Sequence, residues 1–194
     1  LRWMLSDGAG AVRLSAEPNN DSLSLRVEWI DILSYAHELE ACMYGGAEKD
    51  ETGKLKGWTL FNSEERASKS VFALKQDVKL LDENIVKLTV EKALAAVAKK
   101  RGITPQDIDF FLPHYSSEYF REKLYNGLKN IDFEVPYEKW FTNLQQKGNT
   151  GSASIYIILE ELFHSGKLKV GQRLLCYVPE SGRFSSGFML LEVV

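Results

Sequence analysis

Cysteine is scarce in this chain. Among its 194 residues there are two, Cys42 and Cys176, at a spacing that fits neither a metal site nor a disulfide framework. That excludes a small disulfide-stapled secreted scaffold and suits a reducing cytoplasm. Histidine is scarce as well, with three in all. No apolar run approaches the roughly 20 residues that a membrane-spanning helix requires. Charge of one sign is not in excess either. The formal net charge is −3, so no long-range field favours nucleic acid or an anionic membrane. No segment reads as a signal peptide, a repeat or a low-complexity tract. The chain begins at Leu1 rather than Met, which reads as a fragment of a longer protein.

What remains is an ordinary globular mixture, 44% hydrophobic and 26% charged. A chain of this length can bury a core, and a single domain over 1–194 is the natural expectation. Apolar stretches flank Ser6-Asp7-Gly8-Ala9-Gly10-Ala11, and Val12-Arg13-Leu14 reads as a strand. Leu23, Leu25, Val27 and Trp29 alternate onto one face of a second strand reaching Tyr35. Residues 38–70 are irregular and read as an insertion, anchored by Trp58, Leu60 and Phe61. A short helix is predicted over Val71–Leu81. Asp82 then caps a longer one, with Lys99, Lys100 and Arg101 in its last turn and Gly102 after it. Ile108–Leu112 is of strand length. Ser117–Lys129 is helical in pattern, and a short helical stretch follows Pro136. Ser152–Ser165 is an apolar helix closed by Gly166. Arg173–Val178 and Phe184–Val193 are strands. The alternation argues for an α/β fold: a mixed sheet of about five strands with helices on its faces.

Two segments carry the chemistry. In Asp109-Phe110-Phe111-Leu112-Pro113-His114, an imidazole stands at the carboxyl end of a buried strand, the edge where ligands gather in open α/β sheets. In Gly148-Asn149-Thr150-Gly151-Ser152-Ala153-Ser154, an Asn sits in a tight turn of small residues before a helix. Taken alone, the His is explained by packing and the Asn by helix capping. Taken together, 35 positions apart in this order, they resemble the His and Asn motifs of β-ketoacyl-acyl-carrier-protein synthase III. That family comprises decarboxylating condensing enzymes of the thiolase superfamily. Asp7-Gly8-Ala9-Gly10-Ala11-Val12 is similar to the segment that opens the family's C-terminal half. Thr104–Asp109, Ser165–Gly171 and the loop Glu180-Ser181-Gly182-Arg183 resemble further landmarks.

The resemblance implies the C-terminal half of a thiolase-like fold, with the N-terminal half and its nucleophilic Cys absent. It implies His114 and Asn149 as catalytic residues that donate hydrogen bonds to an enolate oxygen. A backbone N–H near Gly182 would serve a second oxyanion site, and Ser117 would face the thioester arm where the family commonly has Asn. The substrates implied are thioesters of coenzyme A or of the phosphopantetheine of an acyl-carrier protein, with no tightly bound cofactor and no metal. The implied partners are acyl-carrier protein or acyl-CoA, the protein's own N-terminal half, and a second copy in a homodimer. Departures are clear: Tyr115-Ser116-Ser117 follows His114 where Gln-Ala-Asn is common, and the C-terminal loop retains Gly182 alone of three glycines. They suggest a specialised branch. Neither Cys42 nor Cys176 has the cationic or helix N-terminal setting of a reactive thiol, and both read as buried structural residues. His37 and His164 read as ordinary surface or helix residues. A thiolase-like subunit that binds a catalytic homologue or carrier protein without catalysing, and a condensing enzyme with a β-keto thioester donor, are the other readings.

Overall fold

A computed structural model describes residues 4–194; the first part of the apolar start, Leu1–Trp3, lies outside them. In chain order the elements are β1 (Leu25–Ser34), β2 (Met43–Tyr44), β3 (Ala47–Lys49), β4 (Leu55–Gly57), α1 (Ser63–Ser68), β5 (Lys75–Gln76), α2 (Val78–Val86), α3 (Ala93–Arg101), β6 (Phe110–Pro113), α4 (Tyr119–Asn130), α5 (Leu144–Lys147), α6 (Ser154–His164), β7 (Arg173–Glu180) and β8 (Ser185–Val193). A π-helical segment, Lys87–Lys92, joins α2 to α3.

The main sheet has the order β1-β8-β7-β6. β6 runs parallel to β7, while β8 is antiparallel to both its neighbours, so the sheet is mixed. It carries four strands among the described residues. The fifth, expected at Val12–Leu14, is coil, with Val12 61% and Leu14 80% exposed. The reason lies just upstream. Ser6 N–H donates to the Asn149 carbonyl at 2.7 Å, and a Cβ on Gly10 would come within 2.3 Å of the Tyr156 side chain. This segment lies flat on the Asn149 turn and α6 instead of pairing in the sheet.

Two cores follow from the two sheet faces. On one, α2, α3 and α4 pack over Phe111, Leu175, Tyr177, Phe188 and Leu190. On the other, Ile155, Ile158 and Leu162 of α6 pack over Leu112, Leu174, Cys176 and Leu191. Strands buried on both faces lose the polar alternation, which is why β6 and the middle of β7 read as continuous apolar runs. Each fully buried Leu or Phe here contributes on the order of 1.5–3 kcal/mol.

Strand β1 departs from the single-face reading. Leu25 pairs with Val193 and Val27 with Leu191, but Trp29 pairs with Leu190, leaving Glu28 as an extra residue. The bulge reverses the faces. Leu25 and Val27 lie on the side of α6; Trp29, Asp31 and Leu33 lie on the side of α3. There the Asp31 carboxylate, buried at 8% exposure, takes Lys100 Nζ at 2.5 Å and Arg101 Nε at 2.6 Å. The cations that suited the helix dipole thus also fasten α3 to the sheet edge.

The helix expected over Val71–Leu81 begins instead at Val78. Lys75 and Gln76 pair with Tyr44 and Met43, and the Asp77 carboxylate caps α2 by accepting the Leu80 N–H. Asp82, expected as a cap, is inside that helix and pairs with Lys123 of α4. The stretch 38–70 also has more order than an irregular insertion. β3 and β4 form a hairpin, and Asn62 and Glu65 make a capping box for α1. Of the three anchors expected there, Phe61 is buried, whereas Trp58 and Leu60 are exposed.

Candidate active site

His114 follows the last residue of β6. Its backbone N–H donates to the Tyr177 carbonyl at 2.8 Å, continuing the β6–β7 pairing one residue past the strand and fixing where the imidazole leaves the sheet. The side chain is buried. Burial pushes its pKa down to about 4, so the ring is neutral at pH 7 and offers one N–H donor and one acceptor.

Asn149 is held from two sides. The preceding Gly148 adopts φ 74° and ψ −171°, a conformation nearly exclusive to glycine. A Cβ there would also meet the Ser6 Oγ at 2.1 Å. Asn149 Oδ1 accepts the Gly151 N–H at 3.1 Å, which orients the amide and leaves Nδ2 as its donor. The Thr150 and Ser154 hydroxyls, 2.8 Å apart, close the turn onto the start of α6.

Both side chains line one cavity of about 100 Å³. Leu81, Ile85 and Val86 of α2, with Phe120 and Leu124 of α4, form its apolar wall. Ser116, Tyr177, Glu180 and Ser181 add polar groups. The Tyr177 hydroxyl lies 2.5 Å from Thr89 Oγ1, and burial raises its pKa, so it stays protonated. Gly182 and Ser117 are not among the lining residues; Ser181 and Ser116 stand there instead. The Gly182 carbonyl accepts the Cys42 N–H at 3.0 Å, which ties the loop to residues 42–43 and brings Met43 to the cavity wall. Ser117 turns its carbonyl to the Phe120 N–H at the start of α4.

Cys42 and Cys176 are both free and buried. Burial, and then the Asp77 charge, raise the Cys42 thiol to about 11; burial raises Cys176 further. Neither lines the cavity. His37 and His164 are exposed beside Glu38 and Glu160. Among the described residues no cluster of three metal-ligating side chains occurs, and no helix is long and apolar enough to cross a membrane.

Residues 98–191 match the family model described as 3-oxoacyl-[acyl-carrier-protein] synthase III, C terminal. The span includes β6, the Asn149 turn and the β7–β8 loop. That stretch is similar to the C-terminal part of this synthase family. Over 190 residues it is 27% identical to the β-ketoacyl-[acyl-carrier-protein] synthase III of Aquifex aeolicus, covering 97% of this chain and 50% of that protein. The corresponding synthase of Koribacter versatilis is also 27% identical, over 97% of this chain and 51% of its own. The structure of the synthase III from Thermus thermophilus superposes with a TM-score of 0.64 at 18% identity, over 91% of this chain and 48% of that one. The last likeness shows the shared fold. The chain spans about half the length of the curated relatives it matches.

Sequence reasoning reached His114 and Asn149 but missed Glu180, Tyr177, Ser116 and Met43 as cavity residues. A signal existed for Glu180: it is the acidic residue in a loop where synthase III-like sequences usually carry glycines. Met43 had none, because its place depends on the long-range bond between Gly182 and Cys42.

Proposed function

We propose that the full-length protein is an acyltransferase of the 3-oxoacyl-acyl-carrier-protein synthase III type, and that this chain supplies His114 and Asn149 to its condensation step. In the decarboxylating reaction an acyl group rests on a Cys of the N-terminal half. A malonyl thioester, on coenzyme A or acyl-carrier protein, loses carbon dioxide. The resulting enolate attacks the acyl thioester. The neutral imidazole N–H of His114 and the Nδ2–H of Asn149 donate to the enolate oxygen, where negative charge develops in the transition state. A neutral His does this without creating a formal charge in an apolar pocket.

The observation that supports this most is the shared cavity: two donors, 35 positions apart in sequence, border one apolar space. That space suits the reactive end of a thioester, and its apolar wall lowers the local dielectric, which strengthens each donor. Acyl-CoA or acyl-carrier protein are then the partners, a homodimer is the assembly, the cytoplasm is the compartment, and fatty-acid or polyketide synthesis is the setting.

The test uses full-length protein with acyl-CoA and a malonyl thioester. His114→Ala or Asn149→Ala lowers condensation on the order of 10²–10³-fold while intact-mass spectrometry still detects the acyl adduct, because the donors act after acylation. Undiminished condensation by Asn149→Ala overturns the enolate role. An adduct mapped to Cys42 or Cys176 overturns the placement of the nucleophile.

A further inference from the structure

The cavity holds one group that the condensation step above does not use. Glu180 ends β7, three residues after Tyr177, and borders the cavity together with His114 and Asn149. Among the described residues its carboxylate has no ion-pair or hydrogen-bond partner, although 14 ion pairs are formed elsewhere. None of the residues lining the cavity is a Lys or an Arg. Glu180 is solvent-exposed at the end of β7, so its charge is hydrated and open to an incoming ligand.

Its setting fits a base. Desolvation on the side of the cavity raises the Glu180 pKa, the direction that makes a carboxylate a stronger base. The other titratable groups bordering the cavity are His114, Tyr115 and Tyr177. The imidazole is neutral, with its pKa at about 4, and burial raises both phenols. Glu180 is therefore the one negative group that the lining residues present at pH 7.

A malonyl donor needs no base, because loss of carbon dioxide generates its enolate. A donor with no carboxylate to lose must surrender a proton from its α-carbon. A saturated acyl thioester is the weaker carbon acid and the harder donor for a carboxylate base. For a β-ketoacyl thioester the two flanking carbonyls acidify that carbon. We propose that Glu180 is a catalytic base that lets this site take a β-ketoacyl thioester as a second class of donor. This rests on the condensing reading above and extends its substrate range. The Glu180 carboxylate removes the α-proton, and the C–H electron pair becomes the enolate. His114 and Asn149 donate to the enolate oxygen. The enolate carbon attacks the carbonyl of the enzyme-bound acyl thioester, the new C–C bond forms, and the C–S bond breaks. The departing thiolate takes the proton held on Glu180, so the base is restored.

The experiment is a competition in full-length protein, acylated from octanoyl-CoA and then given equal malonyl-CoA and acetoacetyl-CoA. Products are separated by mass, since the second donor retains all its carbons. The expected result is condensed product from both donors in the unaltered protein. In Glu180→Gln the ratio of acetoacetyl-derived to malonyl-derived product falls on the order of 10²-fold, and Glu180→Asp restores part of it. Malonyl-derived product alone from the unaltered protein overturns the base proposal and leaves the condensing reading standing. Product from both donors with an unchanged ratio in Glu180→Gln also overturns the base proposal alone. Absence of both products overturns the condensing reading and, with it, this one.

Discussion

The Thr89 and Tyr177 hydroxyls meet at 2.5 Å between the π-helical segment and the sheet. Thr89 also donates to the Ile85 carbonyl one turn back, so the Tyr177 hydroxyl donates to Thr89 Oγ1. The π turn is what sets Thr89 towards β7; such local widening of a helix often accompanies a functional site. Thr89→Val leaves a buried phenol hydroxyl without its acceptor. It is expected to cost about 1–3 kcal/mol, read by urea denaturation, whereas Tyr177→Phe costs about 1 kcal/mol. Equal losses for both variants argue against the assigned donor direction.

His114 makes stability depend on pH. Its folded pKa, about 4, lies below the unfolded value near 6.5. Between those values the unfolded chain binds a proton that the folded chain refuses. Stability therefore falls as pH drops through this window, by about 2 kcal/mol between pH 7.5 and 5. Denaturation midpoints at the two pH values measure it, and His114→Asn is expected to lose most of that difference.

Asp31 is a second acid-sensitive point, with the same direction by another route. Hydrogen bonds from Arg101, then from Lys100, hold its carboxyl below the usual range against the cost of burial. The stabilisation is present above the unfolded pKa near 3.9 and is lost as pH falls through the depressed folded value. Asp31→Asn should cost about 1–2 kcal/mol at pH 7, the lower end because Lys100 is well exposed. Thermal unfolding at pH 7 and pH 3 checks it, with the variant and the parent converging at the lower pH.

Gly148→Ala tests how tightly the Asn149 turn is held. The positive φ and the Ser6 contact both oppose a side chain, so a loss of about 1–3 kcal/mol is expected. In the full-length protein condensation should fall while acylation persists, since only the Asn149 turn has shifted. A melting temperature unchanged from the parent would remove the argument.

The parts legible in the sequence were those fixed by local pattern. Helix α6 and its stop at Gly166 and strands β6, β7 and β8 could be read because apolar period and turn residues act over a few neighbours, whereas His114 and Asn149 were singled out by the family resemblance of their two segments. The illegible parts depend on distant partners. Asp77 caps α2 where Asp82 looked as suitable, because Lys75 and Gln76 are claimed by Tyr44 and Met43. Val12 and Leu14 looked like a strand, but glycines just before them favour close contact with the Asn149 turn and Tyr156 over an edge of the sheet. Gly182 and Ser117 were each one residue from the cavity-lining serine, an offset that sequence alone does not resolve.

The extra residue at Glu28 also bears on how this chain can vary. A strand's faces alternate with every residue, so its length is read as odd or even. Removing Glu28 would close the bulge, keep the pairing partners and leave Leu25 and Val27 on the side of α6, whereas removing 26, 30 or 32 would turn one end of the strand over unless it slid along β8. Substitutions at 26, 28, 30 and 32 meet mostly solvent and are cheap. A single-codon deletion at 26, 30 or 32 is a change of parity, and one at 28 is not. In a collection of related sequences this stretch should drift freely in residue type and hold its length, with position 28 the one place where a residue can be lost.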